Sequence, residues 1–296
     1  MITFLDCVPC LIKQAIETLR FLPMDDSSRE KILREVMRNI AAADLTNPPP
    51  VIAQGMHRCL RKLSGVNDPY HELKERFNSM ALTMIDSLND AVKKSKEPMI
   101  DSLKLAIAGN VIDCGAKTGL SESDVRGQIE NACSENLEGD VLLFLEKASI
   151  AKNILYLADN AGEIVFDRLL IERLGKERIT LAVRGFPIIN DAVMSDARRA
   201  GLDKMVRVIS NGNDAPGTIL KECSEEFQKS FNEADLIISK GQGNYETLCC
   251  SEKEIFFLLK VKCQIIADHT GLKLGTHAVI HSPSHFEIQN ISTSHK

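Results

Sequence analysis

The first half of the chain repeats hydrophobic side chains every three or four residues, which is the spacing of amphipathic helices. These patterns cover residues 8–19, 32–40, 69–92, 99–113 and 121–149. Three prolines at 48–50 must interrupt the chain after the second pattern, because proline lacks an amide hydrogen and disfavours helix in the residue before it. A further helix follows these prolines. We therefore predict an all-helical subdomain over residues 1–150.

The pattern changes at Asn153, where short apolar runs begin to alternate with loops and helical stretches. Strands are predicted at residues 154–158, 179–183, 205–209, 236–239 and 255–261. Strands that alternate with helices imply a largely parallel sheet covered on both faces. The sequence therefore predicts an α/β fold, in which the helical subdomain is attached to a doubly wound, mostly parallel α/β domain at 151–288. A polar tail is predicted at 289–296.

Composition and charge narrow the function classes. The 296 residues are 44% hydrophobic and 26% charged, which is typical of a globular protein. A net charge of −5 and 5% aromatic residues favour neither polyanion binding nor base stacking, so no nucleic-acid partner is expected. Because no apolar run approaches the roughly 20 residues that cross a bilayer and no secretory signal pattern opens the chain, we expect a cytoplasmic protein without a membrane partner. The nine scattered cysteines fit reduced thiols.

Polar loops follow the predicted strands, at the edge of a parallel sheet where ligands bind. Asp159 and Asn160 follow the first strand, and Asp191 lies in the loop after the second. Their oxygen atoms suit hard divalent cations such as Mg²⁺ or Mn²⁺. The same residue types are ordinary helix caps, and spacing alone leaves both interpretations open. A lysine and glycine loop at 240–244 closes another strand, and a lysine facing a bound cation would neutralise a phosphoryl group.

Common phosphate-binding and nucleophile motifs are missing from the sequence. Gly241-Gln242-Gly243 lacks the third glycine of a dinucleotide-binding fingerprint, and no Walker A sequence occurs. There is no G-x-S-x-G elbow, and the first strand ends in Asp-Asn rather than in the paired aspartates of haloacid dehalogenase-type phosphatases. These observations leave a less common kind of site.

Seven segments stand out in chain order: CVPC at 7–10, AIAGNVID at 106–113, LADNAGEIVFDRLLIE at 157–172, VRGFPIINDA at 183–192, NDAPGT at 213–218, DLIISKGQGNYETL at 235–248 and LLKVKCQIIA at 258–267. Together they resemble the metal-dependent damage-control phosphatase family, formerly a domain of unknown function. The resemblance covers nearly the whole chain, and seven motifs in order are specific. The CVPC segment is similar to the N-terminal CxxC of the microbial branch, whose members consist of this domain alone.

The resemblance implies a helical subdomain packed on a Rossmann-like α/β domain, with one divalent cation (Mn²⁺, Mg²⁺, Co²⁺ or Ni²⁺) in the cleft between them. On the matching positions, Asp159, Asn160 and Asp191 are the expected metal ligands. Asp159 and Lys240 are expected to be catalytic, with Lys240 anchoring the phosphate. The residues expected to bind the substrate or its phosphate are Asn110, Asp113, Glu163, Gly241, Gly243 and Asn244.

The resemblance also implies an activity, that of a metal-dependent phosphatase acting on small phosphorylated metabolites such as sugar phosphates or related damaged phosphoesters. Water could attack phosphorus directly or release a phospho-aspartate formed on Asp159, and the sequence leaves this choice open. Two alternatives are an S-adenosylmethionine-dependent carboxyl methyltransferase and a non-catalytic sensor that binds phosphorylated metabolites. No oligomeric state follows from the sequence.

Cys7 and Cys10 have the spacing of a zinc-binding pair, but a structural zinc needs four ligands. They are either two small apolar residues facing one core or a second metal site or redox pair, as the resemblance favours. Gly109 lies inside a helical pattern, where glycine is unfavourable, and this indicates a close approach by another segment or a ligand.

Three histidines near the end of the chain, His277, His281 and His285, repeat every four residues. On a helix this spacing would stack them on one face, as in a metal site. Pro283 argues against such a helix. We therefore predict isolated surface histidines.

Overall fold

A seven-stranded sheet forms the centre of the computed structural model, which describes residues 1–110 and 122–282. The strands are β1 (Leu137–Gly139), β2 (Ile154–Leu157), β3 (Ile179–Val183), β4 (Arg207–Ser210), β5 (Leu236–Lys240), β6 (Ile255–Lys260) and β7 (His277–His281). Their order is β1-β7-β6-β5-β2-β3-β4, and all neighbours are parallel except β6 and β7. The predicted α/β class is confirmed.

Helices surround this sheet. Those of the described residues are α1 (Cys7–Arg20), α2 (Asp26–Ala41), α3 (Pro49–Ser64), α4 (His71–Lys94), α5 (Pro98–Ala108), α6 (Glu122–Glu130), α7 (Val141–Ile150), α8 (Glu163–Leu174), α9 (Met194–Arg199), α10 (Glu225–Glu233), α11 (Gln242–Leu248) and α12 (Gln264–Thr270). Within this part of the chain, no helix combines the length and the apolar character needed to span a membrane.

Side chains of the central strands alternate between two cores. In β2, Ile154 and Tyr156 pack with α5 and α8 on one face, whereas Leu155 and Leu157 pack with α10, α11 and α12 on the other. Because both faces are covered, ligands can reach the sheet only at its edges. The chain runs from β2 outward through β3 to β4 and then returns to place β5 on the other side of β2. This reversal makes the carboxyl ends of β2 and β5 the expected ligand crevice.

The five predicted strands are present, and two strands were not predicted. β1 has three residues and pairs with β7, so the segment before residue 150 is not entirely helical as expected. A strand this short carries no readable period, and its pairing depends on contacts far along the sequence. The subdomain boundary at 150 stays a prediction, and the predicted tail at 289–296 lies outside the described residues.

The histidine prediction was wrong for two of the three residues. His277 and His281 begin and end β7 and are 4% and 8% exposed. The His281 ring stacks on Phe256 with ring centroids 4.6 Å apart. Burial lowers the pKa of His277, which favours its neutral form inside the sheet. His285 lies outside the described residues.

The first three helices have a core of their own, and α3 ties them to the sheet. Asp214, in the loop after β4, accepts hydrogen bonds from Arg58 and from Arg61, both on α3. Gln54, also on α3, donates to the same carboxylate at 2.9 Å. Burial raises the pKa of Asp214, but the hydrogen bonds and charges of the two arginines outweigh it and hold this pKa below its ordinary value.

We expect Asp214→Ala to lower the free energy of unfolding by about 2–4 kcal/mol, because it leaves two arginines without their shared partner. The depressed pKa makes this contribution present at neutral pH and lost as the pH falls below about 4. Urea denaturation at pH 7 measures the loss. Glu226→Ala breaks an exposed pair with Arg207 and should change stability by about 0.5 kcal/mol or less. Equal effects of the two substitutions would contradict this role of Asp214.

Candidate active site

A cavity of ≈390 Å³ opens between helices α1 and α3 and the carboxyl edge of the sheet. The loop after β2 contributes Asp159 and Asn160 to its lining, and the loop after β3 contributes Asp191. The structure thus brings the three predicted metal ligands to one wall. This wall lies beside the crevice that the strand order defines.

Backbone contacts hold these two loops together. Asn160 and Asp191 form an isolated antiparallel bridge, and the Ala192 amide donates to the Asp159 carbonyl oxygen at 2.7 Å. Arg184, at the end of β3, donates from Nε to Asp191 Oδ2 at 2.7 Å. Its Nη2 lies 3.9 Å from Asp159 Oδ1. A buried arginine therefore orients the carboxylate from the second loop toward that of the first.

Two amide side chains hold the Asp159 carboxylate in place by hydrogen bonds to its Oδ2 atom. Asn110, just after α5, donates from Nδ2 to Asp159 Oδ2 at 3.0 Å and to Glu163 Oε2 at 2.8 Å. Asn160 donates from Nδ2 to the same two oxygens, each at 2.8 Å. Glu163 is fully buried. It reaches the cavity wall through these amides, and it is not among the residues that line the cavity.

Lys240 points away from the cavity, contrary to the expectation that it anchors a phosphate there. Its side chain is 0% exposed, and Nζ donates to Glu163 Oε1 and Asp167 Oδ1, both at 2.7 Å, and to the Ala106 carbonyl oxygen at 2.8 Å. Burial lowers the pKa of Lys240, but the charges of Asp167 and Glu163 outweigh this and raise it. The ammonium group has three acceptors within the protein and acts as a buried counterion.

The residues that follow Lys240 shape the wall. Gly241 has φ +79°, and a Cβ there would lie 2.0 Å from Asp159 Oδ2, so only glycine allows this carboxylate its position. Gly243 lines the cavity. Asn244 is buried and accepts from Arg184 Nη1 at 3.0 Å and from Thr218 Oγ1 at 2.8 Å. It therefore braces the arginine, and the structure does not place it in the cavity lining.

Two other sequence expectations concern the helical side. At Gly109 a Cβ would lie 3.0 Å from Phe166 Cδ2 and 3.1 Å from Glu163 Cγ, so the predicted close approach is confirmed. This approach lets α5 deliver Asn110 to the Asp159 carboxylate. Asp113, expected on the same helix face, lies outside the described residues.

Negative charge exceeds positive charge in this buried cluster. Four carboxylates, those of Asp159, Glu163, Asp167 and Asp191, face the two cations Lys240 and Arg184. Burial raises the pKa of Asp159 well above its ordinary value, and the charges of Glu163 and Asp191 raise it further. A divalent cation would balance the excess.

The donor set fits such a cation. Asp159, Asn160 and Asp191 all face the cavity and offer oxygen atoms. Asn110 Oδ1 is buried without a hydrogen-bond partner, which leaves a further oxygen beside them. Among residues 1–110 and 122–282, no three His, Cys, Asp or Glu side chains form a metal-binding group, so the candidate centre depends on amide oxygens as well as carboxylates.

Lys262 lines the cavity and was not predicted from the sequence as a site residue. Its charge lowers the pKa of Asp159, so it acts on the metal-ligand wall electrostatically. Lys262 follows β6, and the loop after that strand was the one strand end whose polar residues were not considered. Arg184 opens the polar loop that follows the second predicted strand, but no role was assigned to it from the sequence.

Glu246, on α11, is a third overlooked residue of the cavity lining. Its Oε1 accepts a hydrogen bond from Gln242 Nε2 at 2.9 Å. Burial raises the pKa of Glu246 to about 7, and the Gln242 hydrogen bond and the amino group of Met1 offset only part of this. The sequence offered one signal for this contact, because Glu246 follows Gln242 by four residues and would lie on the same face of a helix.

Cys7 and Cys10 lie in the first turn of α1 and line the same cavity, together with Cys263. All three are free thiols. Burial raises the pKa of Cys7, and the charge of Glu246 raises it further. A redox role or a second metal site at this pair stays a prediction.

The fold and the site together define a doubly wound α/β protein with a candidate divalent-cation centre at its switch point. The chain belongs to the family described as the damage-control phosphatase ARMT1-like domain, whose family model matches residues 3–277. The resemblance inferred from the seven motifs is confirmed at the level of the family.

Individual relatives match over nearly their whole length. The chain is 37% identical over 290 residues to the uncharacterized protein MJ0202 of Methanocaldococcus jannaschii, covering 93% of this chain and 94% of that protein. It is 36% identical over 276 residues to the damage-control phosphatase PH1575 of Pyrococcus horikoshii, covering 91% and 94%. The crystal structure of PH1575, described as a DUF89 family protein, superposes with a TM-score of 0.87 at 34% identity, covering 95% of this chain and 99% of that one.

The two lysines should respond differently to replacement by methionine. We expect Lys240→Met to lower the free energy of unfolding by about 3–5 kcal/mol, because two buried carboxylates lose their cation. Lys262→Met, at the half-buried cavity lining, should cost about 1 kcal/mol or less. Urea denaturation of both variants at pH 7 measures the difference. A stable Lys240→Met variant would contradict the counterion role.

The raised pKa of Glu246 predicts a pH-dependent stability difference from Glu246→Gln. A carboxyl whose pKa is about 4.3 when unfolded and higher when folded stabilises the fold at low pH, and this contribution is lost as the pH rises through the folded pKa. Replacement by glutamine removes the cost of burying the charge. The variant should therefore gain in melting temperature over the natural protein as the pH rises from 5 to 8. A difference that stays constant over this range would refute the assignment.

Proposed function

We propose that this chain is a metal-dependent phosphatase that hydrolyses small phosphorylated metabolites and uses one divalent cation. The observation that carries the proposal is the buried oxygen-donor wall, with its excess of negative charge, in a cavity that also holds Lys262. Membership of the damage-control phosphatase family and the relative PH1575 support the same activity. No specific observation favours the methyltransferase or the sensor.

Asp159, Asn160 and Asp191 would hold the cation. When bound, a divalent cation supplies positive charge at a phosphoryl oxygen and lowers the pKa of bound water. Arg184 keeps Asp191 oriented, and Asn110 and Asn160 keep Asp159 Oδ2 in place through hydrogen bonds of 2.8–3.0 Å. These contacts fix the ligand oxygens before the substrate arrives, so little reorganisation accompanies the reaction.

Lys262 is the residue that we assign to the phosphate. It lines the cavity with Asp159 and Asp191, whereas the Lys240 ammonium group is buried and donates hydrogen bonds to Glu163 and Asp167. An ammonium group in a partly enclosed pocket attracts a phosphoryl oxygen and offsets the charge that develops as the ester bond breaks. Lys240 then acts indirectly, because it holds Glu163, which in turn holds Asn110 and Asn160.

The cavity also limits the size of the substrate. A volume of ≈390 Å³ lies at the lower end of the range for small-molecule sites. Its walls come from the helical subdomain and from the sheet edge, so a bound ligand would be enclosed from both sides. This supports a small phosphomonoester as the substrate class.

The test is phosphate release from p-nitrophenyl phosphate and a panel of sugar phosphates, with chelator-treated protein before and after addition of Mn²⁺, Mg²⁺, Co²⁺ or Ni²⁺. We expect turnover only with added metal. Asp159→Asn and Asp191→Asn should reduce kcat/KM by about 100-fold or more, and Lys262→Met by about 10-fold or more. The matched control is Glu226→Gln, an exposed carboxylate outside the cavity, which should retain activity. Turnover that survives both chelation and Asp159→Asn would overturn the proposal.

A further inference from the structure

The lining of the cavity carries more acidic than basic side chains. Lys262 is the only lysine or arginine in the described lining, which also holds the proposed metal ligands. Three more carboxylates, those of Asp6, Glu246 and Asp268, line the cavity in addition to the metal-ligand wall. Asp6 and Asp268 are exposed at the rim, whereas Glu246 is half-buried inside.

One hydrogen bond from a neutral side chain holds the Glu246 carboxylate in place. Gln242 Nε2 donates to its Oε1, and Gln242 Oε1 accepts from the Lys262 amide at 3.4 Å, which ties this side chain to the loop after β6. Among the described residues, no lysine, arginine or histidine forms an ion pair with Glu246. The Met1 amino group donates to the Glu246 backbone carbonyl oxygen at 3.1 Å rather than to the carboxylate.

An oriented carboxylate with spare acceptor capacity has a defined chemical preference. Each of its oxygens accepts hydrogen bonds from hydroxyl or ammonium groups, and none can donate while the group is ionised. Above its pKa of about 7 Glu246 is ionised, and a second carboxylate or phosphate brought into the same half-buried space then meets like charge, which is costly where water is partly excluded. The negative charge of Glu246 therefore favours hydrogen-bond donors of a ligand beside it and disfavours anionic groups there.

We propose that Glu246 is a specificity-determining residue that selects the carbon skeleton of the substrate by accepting a hydrogen bond from a hydroxyl or ammonium group. The substrates would then be phosphomonoesters with a single anionic group, on a neutral polyhydroxylated or an aminated skeleton. Bisphosphates and phosphorylated carboxylic acids are excluded by charge. This inference rests on the proposed phosphatase function and deepens it.

The experiment compares three phosphomonoesters with the same six-carbon skeleton: glucose 6-phosphate, glucosamine 6-phosphate and 6-phosphogluconate. At about pH 8, where Glu246 is ionised, the natural protein loaded with its activating metal should show a kcat/KM at least about 10-fold higher for the first two than for the third, because only the third carries a second anion. In Glu246→Gln, which keeps the size and the acceptor oxygen but loses the charge, this ratio should fall to about 3-fold or less. Glu246→Lys should reverse the preference. Glu226→Gln should leave the ratio unchanged.

A ratio near one in the natural protein, or a ratio that Glu246→Gln does not alter, would overturn the inference. Circular dichroism melts establish that each variant is folded before its ratio is used. If p-nitrophenyl phosphate and the three substrates all remain intact with every metal, the proposed phosphatase function is wrong. Calorimetric Kd values for glucose 6-phosphate and 6-phosphogluconate on the natural protein and Glu246→Gln then test the role of Glu246 separately. An equal Kd ratio in both proteins would contradict it.

Discussion

The buried ion pairs of Lys240 determine how the rest of the site is organised. One ammonium group joins the end of β5 to Glu163 and Asp167 on α8 and to the Ala106 carbonyl on α5. Removing a lysine and two carboxylates from water costs several kcal/mol for each ion, and only close mutual contacts with additional hydrogen bonds offset that cost. Tyr156 supplies one such bond, donating to Asp167 Oδ1 at 2.7 Å. These contacts fix α5 and α8 against β5 and, through Tyr156, fix α8 against β2, the strand before the loop that holds Asp159 and Asn160.

The contacts of Lys240 also determine where the Asp159 carboxylate lies in the cavity wall. With Oε1 of Glu163 bound to Lys240, Oε2 remains to accept from Asn110 and Asn160, and both amides then donate to Asp159. A chain of hydrogen bonds thus runs from a lysine that never reaches the cavity to a carboxylate that lines it. If Lys240 pointed into the cavity instead, Glu163 and Asp167 would be buried without a cation, and the site would lose the support that orients its ligands.

Much of the fold was predictable from local patterns, and so was the meeting of the three candidate metal ligands in one cavity. Strand and helix periods predict the five central strands, and parallel strands must end at one edge, so Asp159, Asn160 and Asp191 were placed together correctly by topology alone. β1 was missed because it has only three residues and pairs with a strand far along the chain, and β7 was missed because its apolar run is short and lies between two histidines. The histidines at both ends of β7 look polar in the sequence, yet an imidazole ring can be buried against an aromatic ring, as His281 is against Phe256.

Lys240 and Lys262 show that the position of a residue at the end of a strand does not predict where its side chain points. A residue at the end of a strand can direct a long side chain either into the cavity or back into the core, and Lys240 and Lys262 take opposite directions after neighbouring strands. The choice is made by charge that lies elsewhere in the sequence. Glu163 and Asp167 share a helix face four residues apart and need a buried cation, and β5 is the strand whose end lies beside them.

The cavity combines two proposed tasks, which are binding of the cation and recognition of the substrate skeleton. The proposed metal ligands lie on two loops, which the buried ion pair of Arg184 with Asp191 and the hydrogen bond from Asn160 to Glu163 hold in place. Glu246, on α11, lines the same cavity as residues of α1 and α3, and Asp214 binds Arg58 and Arg61 of α3. Glu246 is not among the hydrogen-bond partners of Lys240, so substitutions there are expected to alter the proposed recognition without removing those contacts. A phosphoryl-transfer site can therefore keep its chemistry while the skeleton that it accepts is set independently by a carboxylate on another helix.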